Sequence, residues 1–122
     1  MLRRCIKKLN HITIQTEAFE KEIEFYQKYV GLTVSRDLRP LGKNIVFLSG
    51  TTDDTALEII EKPGATDSGN ENISIGFQTD DLEKMHNEFC SDGLNPTPFI
   101  SPIPQVQFFF VKDPAGVNVQ FI

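Results

Sequence analysis

The sequence predicts an α+β fold made of two copies of a strand–helix–strand–strand–strand (βαβββ) module, the second copy starting near Ile73. Three observations predict it. Short motifs recur in the same order at a nearly constant offset. Each copy carries a helical apolar stripe followed by a glycine. Strand-like alternation precedes each stripe, and short strand-like runs follow it.

The recurrence spans most of the chain. Gln15-Thr16-Glu17 falls on Gln78-Thr79-Asp80, 63 residues later, and Glu20-Lys21 on Glu83-Lys84 at the same offset. Gly31-Leu32 falls on Gly93-Leu94, 62 residues later, so one residue is lost in the helix or its exit. Val46-Phe47-Leu48 then lies over Phe108-Phe109-Phe110, and Leu57-Glu58-Ile59-Ile60 over Val119-Gln120-Phe121-Ile122. A repeat of this length is one supersecondary unit used twice. The expectation is a single domain of two modules, 1–61 and 73–122, joined by a linker at 62–72.

Each element has a local reason. Residues 9–15 alternate apolar and polar, as a half-buried strand does. Phe19, Ile23, Tyr26 and Val30 then sit four, three and four apart, on one helical face. Gly31 stands where a helix C-terminus favours positive φ. Three short strands follow, with Thr51-Thr52-Asp53-Asp54 turning between the third and fourth. Residues 62–71 are polar and rich in Pro, Gly, Ser and Asn, the composition of a linker. In the second copy Leu82, Met85 and Phe89 form the matching stripe. Asp80 with Glu83 reads as a capping box, and Gly93 as the terminator. Pro96, Pro98, Pro102 and Pro104 predict an irregular edge strand or extended loop. Asp113-Pro114-Ala115-Gly116 suits a type I turn before the last strand.

Strand parity sorts core from site. Ile12 and Ile14 share one face of the first strand, and His11, Thr13 and Gln15 the other. Leu57 and Ile59 oppose Ala56, Glu58 and Ile60 on the fourth. Ile75 and Phe77 oppose Ser74, Gly76 and Gln78 on the fifth. Val119 and Phe121 oppose Asn118, Gln120 and Ile122 on the eighth. The apolar faces are expected to pack under the helices. His11 and Ser74 are repeat-equivalent, as are Glu58 and Gln120, and all four lie on the mixed face. If the modules pair about an approximate two-fold axis, the four converge in one cleft.

Composition narrows the function classes. With 122 residues, 39% apolar and 24% charged, the chain can bury a core and is not of the disordered class. Ten Phe and no Trp point to a Phe-rich core rather than a base-stacking surface. A net charge of −5 argues against nucleic acid as a partner. The basic group Arg3, Arg4, Lys7 and Lys8 reads as a solvated strand edge, with a weak anion site as the rival. Cys5 and Cys90 form neither a disulfide framework nor a zinc spacing, so reduced thiols in a cytoplasmic protein are expected. No secretory h-region and no run approaching the ~20 apolar residues of a bilayer span is present, so no membrane partner is expected.

Taken together, Leu9-Asn10-His11-Ile12-Thr13-Ile14, Ile23-Glu24-Phe25-Tyr26 with Gly31-Leu32, Ala56-Leu57-Glu58-Ile59-Ile60-Glu61 and the closing run from Asp113 to Phe121 resemble the vicinal-oxygen-chelate superfamily. That superfamily includes glyoxalase I, bleomycin-resistance proteins, extradiol dioxygenases and methylmalonyl-CoA epimerase. The resemblance implies a curved, mostly antiparallel sheet around a cleft, with helices on the outer face, and a homodimer. It implies a small-molecule substrate or ligand.

Carried over by position, the family's metal ligands fall on His11, Glu58, Ser74 and Gln120. His11 and Glu58 match the usual residue types. Ser74 stands where His is usual, and Gln120 where Glu is usual. His11, Glu58 and Gln120 are therefore the candidate metal ligands, and Ser74 and Phe109 the candidate substrate contacts. The implied cofactor is a divalent metal (nickel, zinc, cobalt, manganese or iron), or none. An amide is a weaker ligand than a carboxylate, and Gln120 cannot take up a proton at neutral pH as a shuttling carboxylate would. Two functions follow from the resemblance: a lyase or isomerase similar to glyoxalase I, and a metal-free sequestering protein similar to bleomycin-resistance proteins. On residues alone, His11 is read first as a satisfied histidine on the sheet face, Glu58 as half of an ion pair, and His86 as structural.

Overall fold

The structure, a computed structural model, describes residues 5–51, 54–65 and 72–122. Arg3, Arg4, the middle of the Thr51–Asp54 turn and most of the polar linker lie outside the described residues.

The element order repeats as expected. The first half contains β1 (His11–Thr16), α1 (Phe19–Phe25), β2 (Thr33–Asp37), β3 (Ile45–Ser49) and β4 (Ala56–Glu61). The second contains β5 (Ser74–Phe77), α2 (Leu82–Ser91), β6 (Ile100–Ile103), β7 (Val106–Lys112) and β8 (Asn118–Phe121). The strands form two four-stranded sheets, ordered β1-β4-β3-β2 and β5-β8-β7-β6. In each sheet the first strand pairs in parallel with the last, and the other pairs are antiparallel. The helix and two strands between β1 and β4 form a connection long enough for parallel pairing.

The helices start and stop for local reasons. Glu20 and Glu22 stand in the first turn of α1, where negative charge favours the N-terminal dipole. From Tyr26 to Val30 the helix widens into a π turn, which ends at Gly31 with φ 80°. In α2 the capping residue is Asp81, not Asp80. Its side chain accepts from the Lys84 N–H at 3.0 Å, so the start lies one residue later than the Asp80–Glu83 spacing suggested. Gly93 follows α2 with φ 75°. β6 is an edge strand whose register with β7 shifts between Ile100 and Ile103, the stretch that carries Pro102.

One apolar layer joins both halves. Ile14, Val46, Leu48, Leu57 and Ile59 of the first sheet are buried, as are Phe109, Val111, Val119 and Phe121 of the second. Phe19, Ile23, Phe25, Tyr26 and Phe89 cover them from the helical segments. Phe25 stacks on Phe89 at 6.1 Å, and Tyr29 lies 4.5 Å from the same ring. The helices therefore occupy the buried side of the sheets and leave the mixed faces open. Among the described residues no helix is long and apolar enough to cross a membrane.

A buried polar knot also crosses between the halves. Tyr26, with no exposed surface, donates its hydroxyl to Asp113 Oδ2 at 2.6 Å. Asp113 Oδ1 accepts from the Ala115 and Val117 amides at 2.9 and 2.8 Å. The Gly116 amide donates to the Asp113 carbonyl at 2.9 Å, closing the expected turn. Buried Glu22 accepts from the Ala115 amide at 3.3 Å. Burial, then the charges of Asp113 and Glu22, push the Tyr26 phenol far above its ordinary range. The unfolded tyrosine ionises near pH 10 and the folded one does not, so this contribution is full below about pH 10 and is lost as pH rises beyond it. Urea unfolding above pH 10 is expected to show stability falling by about 1.4 kcal/mol per pH unit from this one proton. Tyr26→Phe removes that part of the slope. An unchanged slope in the variant would contradict the assignment.

Candidate functional site

The parity expected for β1, β4, β5 and β8 is the parity observed. On β1, His11, Thr13 and Gln15 are exposed while Ile14 and Thr16 are buried. On β4, Leu57 and Ile59 are buried and Glu58 is half-buried. Residues in register across a sheet share a face. Thr13 is in register with Glu58, Glu58 with Phe47, and Phe47 with Arg36. That row runs across the whole open face of the first sheet.

The first sheet gathers a polar cluster on this row. Thr13 donates its hydroxyl to Glu58 Oε1 at 2.6 Å. The same carboxylate oxygen lies 3.6 Å from His11 Nε2. The side-chain amide of Asn10 stands 2.8 Å from His11 Nδ1. The two ring nitrogens of His11 face Asn10 and Glu58 respectively. The His11 ring meets Phe47 edge-on at 5.8 Å. His11 and Glu58 are thus brought together, with Thr13 holding the carboxylate and Asn10 the ring.

The second sheet presents Gln120 and Ser74 on its corresponding face. Gln120 is in register with Gly76 on one side and Phe110 on the other. A Cβ at position 76 would stand 3.2 Å from Gln120 Oε1, so the glycine keeps room for the amide to lie over β5. Ser74 lines a cavity of about 400 Å³ with Thr13, Ile12, Ile14, Ile75 and Val117. That cavity lies where β1 and β5 approach, and it brings Ser74 beside the row that holds Glu58. A second cavity, of about 310 Å³, opens on the first sheet, lined by Asn10, Arg36, Phe47, Ser49, Asp54 and Ala56.

Phe109 is not on the open face. Its ring is fully buried, 5.6 Å from Phe121, 6.0 Å from Phe89 and 5.0 Å from His86. The rings that share Gln120's face are Phe108 and Phe110, 5.7 Å apart. The expectation that Phe109 contacts substrate is therefore corrected: a run of three phenylalanines has no alternation to read, so that choice had no parity behind it. His86 is held as a structural residue, its Nε2 lying 2.8 Å from the Thr97 carbonyl.

The donor set does not fit a tightly held transition metal. Among the described residues no group of three His, Cys, Asp or Glu side chains comes together. His11 and Glu58 would be two ligands. At the repeat-equivalent positions the second sheet offers only a hydroxyl, Ser74, and an amide, Gln120, where three strong protein ligands are usual for a catalytic zinc.

Comparison with known proteins follows the same outline. Residues 8–121 match the family model described as the Glyoxalase/Bleomycin resistance protein/Dioxygenase superfamily. No curated protein matches the chain in sequence. Among solved structures, one described as a possible glyoxalase from Bacillus cereus superposes with a TM-score of 0.75 at 19% identity, covering 96% of this chain and 99% of that one. The trypanothione-dependent glyoxalase I of Leishmania major gives 0.74 at 21% identity, covering 96% and 86%. The fosfomycin resistance protein FosX of Mesorhizobium loti gives 0.73 at 16% identity, covering 96% and 92%. At these identities the structural likeness speaks for the fold alone. With its repeated βαβββ halves and a family match over nearly all its length, the chain belongs to the glyoxalase/bleomycin resistance protein/dioxygenase superfamily.

Proposed function

We propose that this protein binds a small molecule on the open face of its first sheet and does so without a resident metal. The observation that carries this reading is the His11–Glu58–Thr13 cluster, whose Thr13 lines the cavity of about 400 Å³ and whose neighbours Asn10, Phe47 and Ala56 line the one of about 310 Å³. Both volumes fall in the range of small-ligand sites. The cluster supplies a carboxylate acceptor at Glu58 and a hydrogen-bonding imidazole at His11, while Phe47 and the β1/β5 cavity supply apolar wall. Ser74 and Gln120 add a hydroxyl and an amide from the second half, and Phe108 and Phe110 take the aromatic role first assigned to Phe109.

A second reading is a glyoxalase-like lyase or isomerase that recruits a divalent metal. The 3.6 Å approach of His11 Nε2 to Glu58 Oε1 supports it, since two neighbouring ligands could converge there. Gln120 weakens it, because an amide cannot act as a proton-shuttling base. The two readings separate on protein purified without a metal-affinity tag. Metal analysis is expected to find nickel, zinc, cobalt, manganese and iron well below stoichiometric. The hemithioacetal of methylglyoxal and a thiol is expected to show no turnover when any of them is added. Stoichiometric metal that disappears in His11→Ala would overturn the metal-free reading. The same reading includes a cytoplasmic homodimer, supported by two exposed free cysteines and by exposed Leu9 and Ile73. Sedimentation as a monomer at micromolar concentration would remove the dimer.

A further inference from the structure

Among the described residues no carboxylate pairs with Arg36, an exposed residue of β2. The neighbouring Arg39 is fully engaged: its Nε and Nη2 reach the two oxygens of Asp37 at 2.9 and 2.8 Å, and its Nη1 lies 3.8 Å from Glu20. Lys28 is likewise paired with Asp92 at 3.3 Å. Among the described residues Arg36 makes no such pair, nor do lysines such as Lys43 and Lys112, so it is its place on the sheet that sets Arg36 apart.

Its position is set by a bulge. β2 and β3 pair Val34 with Leu48 and then Arg36 with Phe47, so Ser35 is the extra residue. A bulge re-aims the side chain beside it. Without that extra residue, alternation would place Arg36 on the same face as Val34, which is in register with the core residue Leu48. With it, Arg36 joins the row Phe47–Glu58–Thr13 on the open face and lines the cavity of about 310 Å³. Ser35 itself donates its hydroxyl to the Phe47 carbonyl at 3.3 Å. Arg36 stands two strands from Glu58, about 10 Å backbone to backbone at ordinary strand spacing. Phe47 lies between them. Asp54, the acid in the same cavity, turns Oδ2 back to the Thr51 amide at 3.1 Å.

We propose that Arg36 is the anion-binding end of the site, and that the ligand is a small organic carboxylate whose apolar body lies over Phe47 toward His11 and Glu58. This deepens the small-molecule reading above and rests on it. A guanidinium offers two parallel N–H donors that match a carboxylate, and the apolar ring beside it takes a hydrocarbon chain. Glu58, two strands away, repels a second anion, so the ligand's charge is set at one end only. The alternative use of an edge-strand arginine is to guard the edge against pairing with another chain. An arginine used only in that way would favour a carboxylate no more than an equally exposed cation elsewhere, such as Lys84, does.

The test uses sodium hexanoate and hexanamide as probes, with binding read from amide chemical shifts of Ser35, Arg36, Phe47 and Ala56. Hexanoate is expected to bind roughly tenfold more tightly than hexanamide, the scale of a charge-assisted pair. Arg36→Met is expected to abolish that difference while leaving hexanamide unchanged, and Arg36→Lys to restore part of it. Lys84→Met, an equal loss of charge on the exposed side of α2, is expected to change neither. Equal binding of the two probes to the wild type would overturn the role of Arg36 and leave the small-molecule site standing. An equal effect of Lys84→Met would overturn it too, by showing that only net charge matters. If neither probe moves these resonances, the ligand site fails and the proposal fails with it.

Discussion

Asp113→Ala is expected to destabilise the protein by about 3–5 kcal/mol, because three hydrogen-bond donors lose a shared buried acceptor. Those donors are the Tyr26 hydroxyl and the Ala115 and Val117 amides. The Tyr26 hydroxyl, fully buried, cannot turn to water without opening the contact between the π turn after α1 and the β7–β8 turn. The Ala115 amide keeps Glu22 as a second acceptor at 3.3 Å. Tyr26→Phe removes one donor and leaves Asp113 its two amides, so its expected cost is smaller, about 1–2 kcal/mol. Asp113→Asn keeps the shape and one acceptor oxygen and should fall between the two. Urea unfolding of the single and double variants gives the coupling directly. Additivity of Tyr26→Phe and Asp113→Ala would show that the 2.6 Å contact is not energetically shared.

The second large effect is expected at Phe109. Phe109→Ala should cost about 3–5 kcal/mol, the range for removing a buried ring. The ring touches α2 through Phe89 and His86, β8 through Phe121, and the β6 approach through Phe99 at 5.9 Å. A sheet on one side and a helix on the other cannot collapse far into the space left. Phe108→Ala, one residue away on the opposite face, should cost about 1 kcal/mol or less, since its ring is only partly buried. Comparable losses for the two variants, measured by urea unfolding, would contradict the observed parity of β7.

The contrast between these two rings shows how far the sequence could be read. Alternation in β1, β4, β5 and β8 assigned His11, Thr13, Glu58, Ser74 and Gln120 to the open face, because apolar and polar residues there take turns. The Phe108–Phe110 run has no such turns, and the face of each ring depends on the pairing with β8. Arg36 was hidden for a related reason: a bulge at Ser35 breaks the period by which a face is read. Asn10 and Thr13 carried a readable parity or neighbourhood, but their roles as partners of His11 and Glu58 depend on rotamers. The Tyr26–Asp113 bond joins residues 87 apart in sequence, and nothing local announces it. The capping residue of α2 was misplaced by one because Asp80 and Asp81 are adjacent and chemically alike. Repeat and periodicity are properties of the chain, whereas partners are properties of the packed molecule.

The parallel pairing of first and last strands also sets an order of assembly. β5 has a single strand partner, β8, and β8 is the interior strand that joins it to β7. During synthesis the first sheet has all four of its strands once residue 61 has emerged. The second has none of β5's ladder until residue 118 appears. Until residues 89 and 113 appear, Phe25 has no Phe89 to stack on and Tyr26 no Asp113 to bind, so the half-made chain carries an apolar face in water. Its yield in a cell should then depend on how fast translation covers those residues, and on chaperones that shield the face meanwhile.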